Sequence, residues 1–271
     1  MPIIVNSQPQ LGKTTEYRLS IQADLNGFSF SIQSSAKELL FLFQSEFKPV
    51  YGDLDLFNQQ CKELFETIPL LRSKFKSVDL VVNNHKFVAI PTDLYDRDSA
   101  FFEFSKIHKL DDLEYINTID VPKYNMKLVY CADSTLVNII SQYHSNLNIY
   151  PASYLFISSL CYYQEHNKVL FSFDGESVSI VALDGNKLIF LNSFPAIHFN
   201  SALYFLLLSV KEIQFNPEQT TVFVNGKISD LEISDMAKYF SQIKYFRNPE
   251  IPLGAAEREL RYSLMMFPFD L

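Results

Sequence analysis

From Tyr17 onward, apolar and polar residues alternate. Leu19, Ile21 and Ala23 are interleaved with Arg18, Ser20 and Gln22, the two-residue period of a strand with one face buried. Leu25-Asn26-Gly27 follows, and Asn-Gly is a strong hairpin signal because both residues tolerate positive φ. Phe28, Phe30 and Ile32 then alternate with Ser29 and Ser31, and the short Ser34-Ser35 turn leads to a third strand, Leu39 to Phe43. After Asp53, a plausible N-cap, the period changes. Leu54, Phe57, Cys61, Leu64, Phe65 and Ile68 recur at three-, four- and seven-residue spacings, which predicts a helix ended by Pro69.

The same order returns in the second half. Val169 to Phe173 reads as a strand, Asp174-Gly175 as a turn and Ser177 to Leu183 as a strand. Asp184-Gly185-Asn186 then turns into a third strand, Lys187–Phe194. The helix expected from about Ser201 to Ile213 is apolar nearly all round, which predicts burial on both sides. Gly27 and Gly175 lie 175 − 27 = 148 residues apart, and the two copies share a pattern more than a sequence.

After each meander the pattern alternates strand and helix. Thr221–Val224 is a short strand, Ser229 to Glu232 is a capping box opening a helix, and Gln242–Phe246 is a further strand. In the first half, Val78, Leu80 and Val82 are expected to pair across Asn83-Asn84 with Phe87–Ile90 as an extra hairpin, residues 78–90. Met126–Tyr130 reads as a strand, Ser134–His144 as a helix, and Ile149 to Tyr163 as a short strand passing into a helix; residues 96–120 give no clean period. The domain reading is a flexible arm (1–15), lobe I (16–165) and lobe II (166–271), with a terminal helix over 255–266 able to pack back on lobe I. Mixed sheets with helices on their faces make the class α/β, and a cleft between two such lobes is the natural ligand site.

Composition narrows the functions. With 48% hydrophobic and 20% charged residues the chain is an ordinary globular one. Its net charge is 23 − 31 = −8 without any basic stripe, so nucleic acid is not an expected partner. The start has no cationic segment followed by a long apolar one, and the strongest apolar run, Ala202 to Leu208, is far short of the ~20 residues that span a bilayer. No membrane insertion is expected. Three widely spaced cysteines (61, 131, 161) without a CxxC pair fit a reducing cytoplasm.

Motifs with chemistry are few. Gly12-Lys13-Thr14 resembles the end of a P-loop, but Ser7 stands where the first glycine belongs and a strand follows where a helix should. The five histidines are scattered, no nucleophile elbow occurs, and Asp93, Asp96 and Asp98 lack the rest of a calcium loop. Cys61 sits on an apolar helix face, as an inert buried thiol would. What remains is the pair of first hairpins, Asp24 to Gly27 and Ser172 to Gly175. Tight glycine turns let backbone N–H groups approach phosphate, and an acid at the strand end can hold Mg²⁺ through water. Ordinary hairpins require the same Asn-Gly and Asp-Gly pairs, and on the residues alone that simpler reading is favoured.

Those two hairpins resemble the paired phosphate hairpins of the actin-like ATPase superfamily, and Asp184-Gly185 followed by Lys187 to Phe190 is similar to its pilus-assembly branch. Nearly the whole chain is similar to an uncharacterised bacterial family, typical of Bacteroidetes, with an actin-like ATPase fold. Leu19–Ile32, Val78–Pro91, Leu188 to Phe194, Phe215 to Glu218 and Val222–Ile228 carry that resemblance. It implies a duplicated ribonuclease H-like (actin-like ATPase) fold, each lobe with a mixed sheet led by a three-strand antiparallel meander and flanked by helices. It also implies a nucleotide cleft lined by Asp24, Asn26, Gly27, Ser172, Asp174, Gly175, Asn225 and Gly226.

The departures from the superfamily pattern bear on function. Asp24 matches the acid of the first hairpin, but Asn26 takes the glycine place and Gly27 the hydroxyl place. In the second hairpin Ser172 stands where the acid should be and Asp174 where a glycine should be, and the adenosine-side glycines are reduced to Asn225-Gly226. The expectation is therefore a protein with no catalytic residues, no required cofactor and no metal, which acts as a non-hydrolysing scaffold for an unknown protein partner. The alternative is a weak ATP-binding or nucleotide-sensing protein in which Asp24 positions Mg²⁺-bound water, and the third is another small ligand in the cleft.

Overall fold

The structure is a computed structural model that describes residues 3–5, 11–24, 27–47, 54–226, 228–251, 263–267 and 269. The chain divides into two compact units, Met1–Ala152 and Ser153–Leu271.

The first unit begins with β1 (Ile3–Val5), β2 (Arg18–Asp24), β3 (Gly27–Gln33) and β4 (Leu39–Glu46), followed by α1 (Leu54–Thr67) and β5 (Ser77–Val82). It continues through β6 (Phe87–Pro91), α2 (Arg97–Ile107), β7 (Glu114–Val121), β8 (Met126–Asp133), α3 (Ser134–Ser141) and β9 (Leu147–Pro151). Its main sheet has the order β1-β4-β3-β2-β5-β9, and β6-β8-β7 form a separate antiparallel sheet. Within the stretch read as an arm, Ile3–Val5 pairs antiparallel with β4, and Leu11–Glu16 makes a 3₁₀ turn.

The second unit takes α4 (Ala152–Leu160) from Ser153 onward, then β10 (Asn167–Phe173), β11 (Ser177–Asp184), β12 (Lys187–Pro195) and α5 (Phe199–Glu212). It ends with β13 (Thr221–Asn225), α6 (Asp230–Met236) and β14 (Gln242–Tyr245). The sheet order is β12-β11-β10-β13-β14. The meander β10-β11-β12 is antiparallel, while β13 lies parallel to β10 and β14 parallel to β13. The first unit repeats this plan with β2-β3-β4, β5 and β9, so the duplicated unit read from the sequence is a duplicated topology.

The extra hairpin expected at residues 78–90 does not form. Ser77–Val82 is an inner strand, parallel to β2 on one side and β9 on the other, whereas Phe87–Pro91 pairs with β8 in the small sheet. The reason lies in burial: Val78, Leu80 and Val81 are all fully enclosed, as in parallel strands covered on both faces. Asn84 redirects the chain, accepting from the Lys86 N–H (2.6 Å) while its Nδ2 donates to Cys131 Sγ (2.9 Å). The stretch 96–120 resolves into α2 and β7. Of the terminal helix read over 255–266, residues 255–262 lie outside the described residues, and Leu264–Met266 form a 3₁₀ turn.

In the first unit Leu19, Ile21, Phe28, Phe30 and Ile32 pack against Phe57, Cys61 and Phe65 of α1 and Leu136, Ile139 and Ile140 of α3. The alternation in β2 suggests a solvated outer face, yet Ser20, Gln22, Ser29 and Ser31 are buried as well. Part of that polar face is bonded internally. Ser29 Oγ donates to the Phe43 carbonyl (2.7 Å), and the Asp79 carboxylate meets Arg18 Nε (2.7 Å) and Asn148 Nδ2 (2.9 Å). In the second unit Val169, Phe171, Val178 and Ile180 face Ala202, Leu206 and Val210 of α5. The sequence predicts burial all round α5, but Tyr204 (61% exposed) and Leu208 (44%) stand on an open face, because the helix packs through one stripe only.

His144, just after α3, is buried between the rings of Phe65 and Phe75, and its Nε2 donates to the Leu71 carbonyl at 2.7 Å. Burial lowers its pKa, and the Leu71 carbonyl offsets this only partly. A depressed histidine pKa means that the unfolded chain binds the proton more readily. This contribution to stability is complete above the unfolded value of about 6.5 and is lost as pH falls through the folded value. Urea midpoints measured from pH 7.5 downward are expected to fall below about pH 6.5, with a shallower fall in His144→Gln; equal slopes for the two chains would contradict this.

Candidate functional site

The sequence candidates fall at the carboxyl ends of parallel strands, where ligands of open α/β sheets bind. In the first unit Asp24 closes β2 and pairs with Gly27, the first residue of β3. Asn26 lies outside the described residues, as does the side chain of Asp24. Gly27 is part of a buried strand, β3, rather than of the turn itself.

In the second unit the geometry is complete enough to read. Ser172 on β10 stands beside Asn225, the last residue of β13. Asn225 Nδ2 donates to Ser172 Oγ (2.9 Å), and Ser263 Oγ donates to Asn225 Oδ1 (2.7 Å). All three side chains are buried. Ser172 and Asn225 thus tie two strands to Ser263.

One residue beyond Phe173, the β10–β11 turn folds on its own carboxylate. Asp174 Oδ1 accepts the backbone N–H groups of Glu176 (2.9 Å) and Ser177 (2.7 Å), and Oδ2 accepts Ser177 Oγ (3.2 Å). Gly175 supplies the positive φ (+93°) that such a side-chain-capped turn needs. Consecutive backbone N–H groups in a tight turn form a concavity suited to an anion. Here the turn's own carboxylate accepts two of them. A phosphate approaching this turn meets the negative charge of the Asp174 carboxylate.

Gly226 sets the spacing of the site. Its φ is +96°, and a Cβ built on it would lie 2.1 Å from the Phe173 carbonyl oxygen. The close approach of the residue after β13 to the end of β10 therefore requires glycine.

Sequence reasoning brought Ser172, Asp174, Gly175, Asn225 and Gly226 to one end of this sheet. It did not single out Ser177 or Ser263. The Asp-Gly-x-Ser spacing is a legible signal for Ser177, since aspartate accepts bonds from residues two and three further on. Ser263 lies 38 residues from Asn225, and no local pattern announces that contact.

Other reactive groups are muted. Burial first, and nearby Asp133 second, push the Cys61 thiol up to about 12. Burial, with Glu114 close by, pushes Cys131 up to about 12 as well. Neither is a nucleophile near neutral pH. Among the described residues no group of three His, Cys, Asp or Glu side chains could hold a metal ion, and no helix is long and apolar enough to cross a membrane.

A protein from Bacteroides thetaiotaomicron, described as having an actin-like ATPase fold and unknown function, superposes with a TM-score of 0.79 at 21% identity, over 93% of this chain and 98% of that one. A chain of the PilM–PilN type IV pilus biogenesis complex superposes with a TM-score of 0.56 at 12% identity, over 93% and 97%. At these identities the likeness is one of fold. No curated protein matches the sequence. A family model, "Protein of unknown function (DUF3822)", matches residues 6–248. With most of its length inside that match, the chain belongs to the DUF3822 family, and it has an actin-like ATPase fold.

Proposed function

We propose that this protein is a non-hydrolysing scaffold that keeps the actin-like fold and uses it to bind a protein partner. The observation that carries this reading is the Asp174 carboxylate, which accepts the Glu176 and Ser177 N–H groups of the hairpin that would otherwise face phosphate. Ser172 supports it, being bonded to Asn225 where an acid would hold Mg²⁺-bound water. That the PilM relative occurs in a complex with PilN supports protein binding as a use of this fold.

The competing reading is a weak nucleotide binder centred on Asp24, which stands at the carboxyl end of β2 beside the parallel β5. A thermal-shift titration separates the two. A ligand at a hundredfold excess over its Kd stabilises the folded state by about 2.7 kcal/mol, a shift of several degrees. The scaffold reading expects no change in melting temperature up to millimolar Mg-ATP, and a saturable rise would favour the nucleotide binder.

A further inference from the structure

Exposed apolar side chains gather on and around α2. Among the described residues twelve large apolar side chains stand exposed, and five of them, Leu94, Phe101, Phe102, Ile107 and Leu113, fall between residues 94 and 113. Singly scattered apolar residues are ordinary on a protein surface, whereas a group of them marks an interaction site. On its inner side α2 buries Ala100 and Phe104, which pack with Val129 and Cys131 of β8. Phe102 is two residues from Ala100, and at about 3.6 residues per turn that sets it on the opposite, outer side. Phe101 (58% exposed) stands next to Phe102 (61%). Lys106 Nζ lies 4.3 Å from the Phe102 ring centre and covers only part of that ring.

The rim of this aromatic pair is acidic. Residues 92–113 hold six acids (Asp93, Asp96, Asp98, Glu103, Asp111 and Asp112) and three bases (Arg97, Lys106 and Lys109), a charge of 3 − 6 = −3. Two of the acids are paired, Glu103 with Lys106 (2.8 Å) and Asp111 with Lys86 (2.8 Å). Asp96 caps the helix by accepting the Ser99 N–H (2.9 Å), which leaves its charge in place. Asp93, Asp98 and Asp112 are exposed. Such a rim repels a second copy of the chain, whose own net charge is −8, and it repels an anionic membrane. It attracts a segment that carries lysine or arginine. A helix uses its backbone groups internally and offers no strand edge, so the occupant must bury the phenylalanines with its own side chains, as an amphipathic helix does.

We propose that the outer face of α2 is a docking surface for a basic amphipathic helix of a protein partner. Phe101 and Phe102 are its apolar anchors, and Asp93, Asp98 and Asp112 steer the partner's cationic flanks. Leu94, just before α2, and Ile107, its last residue, extend the apolar contact toward the two ends of the helix. The inference names a surface and a partner chemistry for the protein-binding reading above and rests on it. It fails separately, because a chain that binds no basic helix can still be inert toward Mg-ATP.

The probe is a labelled amphipathic peptide of leucine and lysine, roughly 18 residues long so that it is helical, titrated against the full chain with anisotropy as the readout. A version with glutamate for lysine is the control. Saturable binding of the lysine peptide is expected, with the glutamate peptide weaker by about tenfold or more. The double variant Phe101→Ser/Phe102→Ser, which alters exposed side chains alone, is expected to lose about tenfold or more in affinity for the lysine peptide. The triple variant Asp93→Asn/Asp98→Asn/Asp112→Asn is expected to bind more weakly and with less dependence on salt. No saturable binding of the lysine peptide, equal binding of the two peptides, or an affinity unchanged in the serine variant would overturn the proposal. Should the serine pair not fold, Phe102→Ser alone is read in its place, and an unchanged affinity overturns the proposal equally. A concentration-dependent dimer that the serine variant lacks would seat a second copy on α2 and overturn the partner assignment. Phenylalanine-dependent binding to phosphatidylglycerol vesicles would overturn it as well, in favour of a lipid surface.

Discussion

Gly226→Ala is expected to destabilise the second unit by about 2–6 kcal/mol, the sum of two separate costs. A φ of +96° is strained for any L side chain, which contributes about 1–3 kcal/mol. The second cost is steric. The new methyl would stand 2.1 Å from the Phe173 carbonyl oxygen, and backbone on both sides must move to admit it, at about 1–3 kcal/mol. Gly175 provides the internal control. Its φ is similarly positive (+93°), but a Cβ there meets nothing within 4 Å. Gly175→Ala should therefore show the backbone cost alone. Urea unfolding of the two variants checks the account: equal losses would mean that the approach to Phe173 carries no weight.

Phe28→Ala is expected to cost about 3–5 kcal/mol in the first unit. The ring is fully buried and makes edge-on contacts with Phe30 (6.3 Å) and Phe65 (6.1 Å), so it joins the meander to α1. Truncation removes its transfer free energy and two aromatic contacts, and it leaves a cavity that a sheet and a helix cannot close. Phe28→Leu, which refills most of the volume, should recover more than half of the loss. A loss below about 1 kcal/mol for Phe28→Ala would place this ring outside the cooperative core.

How much of this was legible in the sequence depends on where each element's partner lies. The two meanders are local, and their two-residue periods and turn residues place them correctly. The capping box is local too, and Ser229 and Glu232 form it in full. The sequence suggests an extra hairpin over 78–90 because Asn83-Asn84 between two apolar runs looks like a turn. The true partners of β5 are β2 and β9, roughly sixty to seventy residues away on either side. Residues 96–120 gave no period because α2 buries only Ala100 and Phe104 and leaves Phe101, Phe102 and Ile107 exposed. The polar face of β2 was expected in solvent, since alternation reveals two faces but not what covers each of them.

At the candidate site the residues were legible and their bonding was not. Asp174 reads as the first half of an Asp-Gly turn, and it is one. That its carboxylate takes up the turn's own N–H groups follows from the short reach of an aspartate, whereas the bond from Ser263 to Asn225 depends on a contact across 38 residues. The demand for glycine at 226 is not legible either, because the Phe173 carbonyl oxygen that a side chain there would meet belongs to a strand far away in sequence.

The central claim, that the hairpin chemistry of this fold has been given up, is tested most directly by phosphate release from Mg-ATP. The purified chain and Asp24→Asn are compared at millimolar ATP with continuous phosphate detection. The account predicts no release above background from either protein; steady turnover by the wild-type chain that Asp24→Asn abolishes would contradict it.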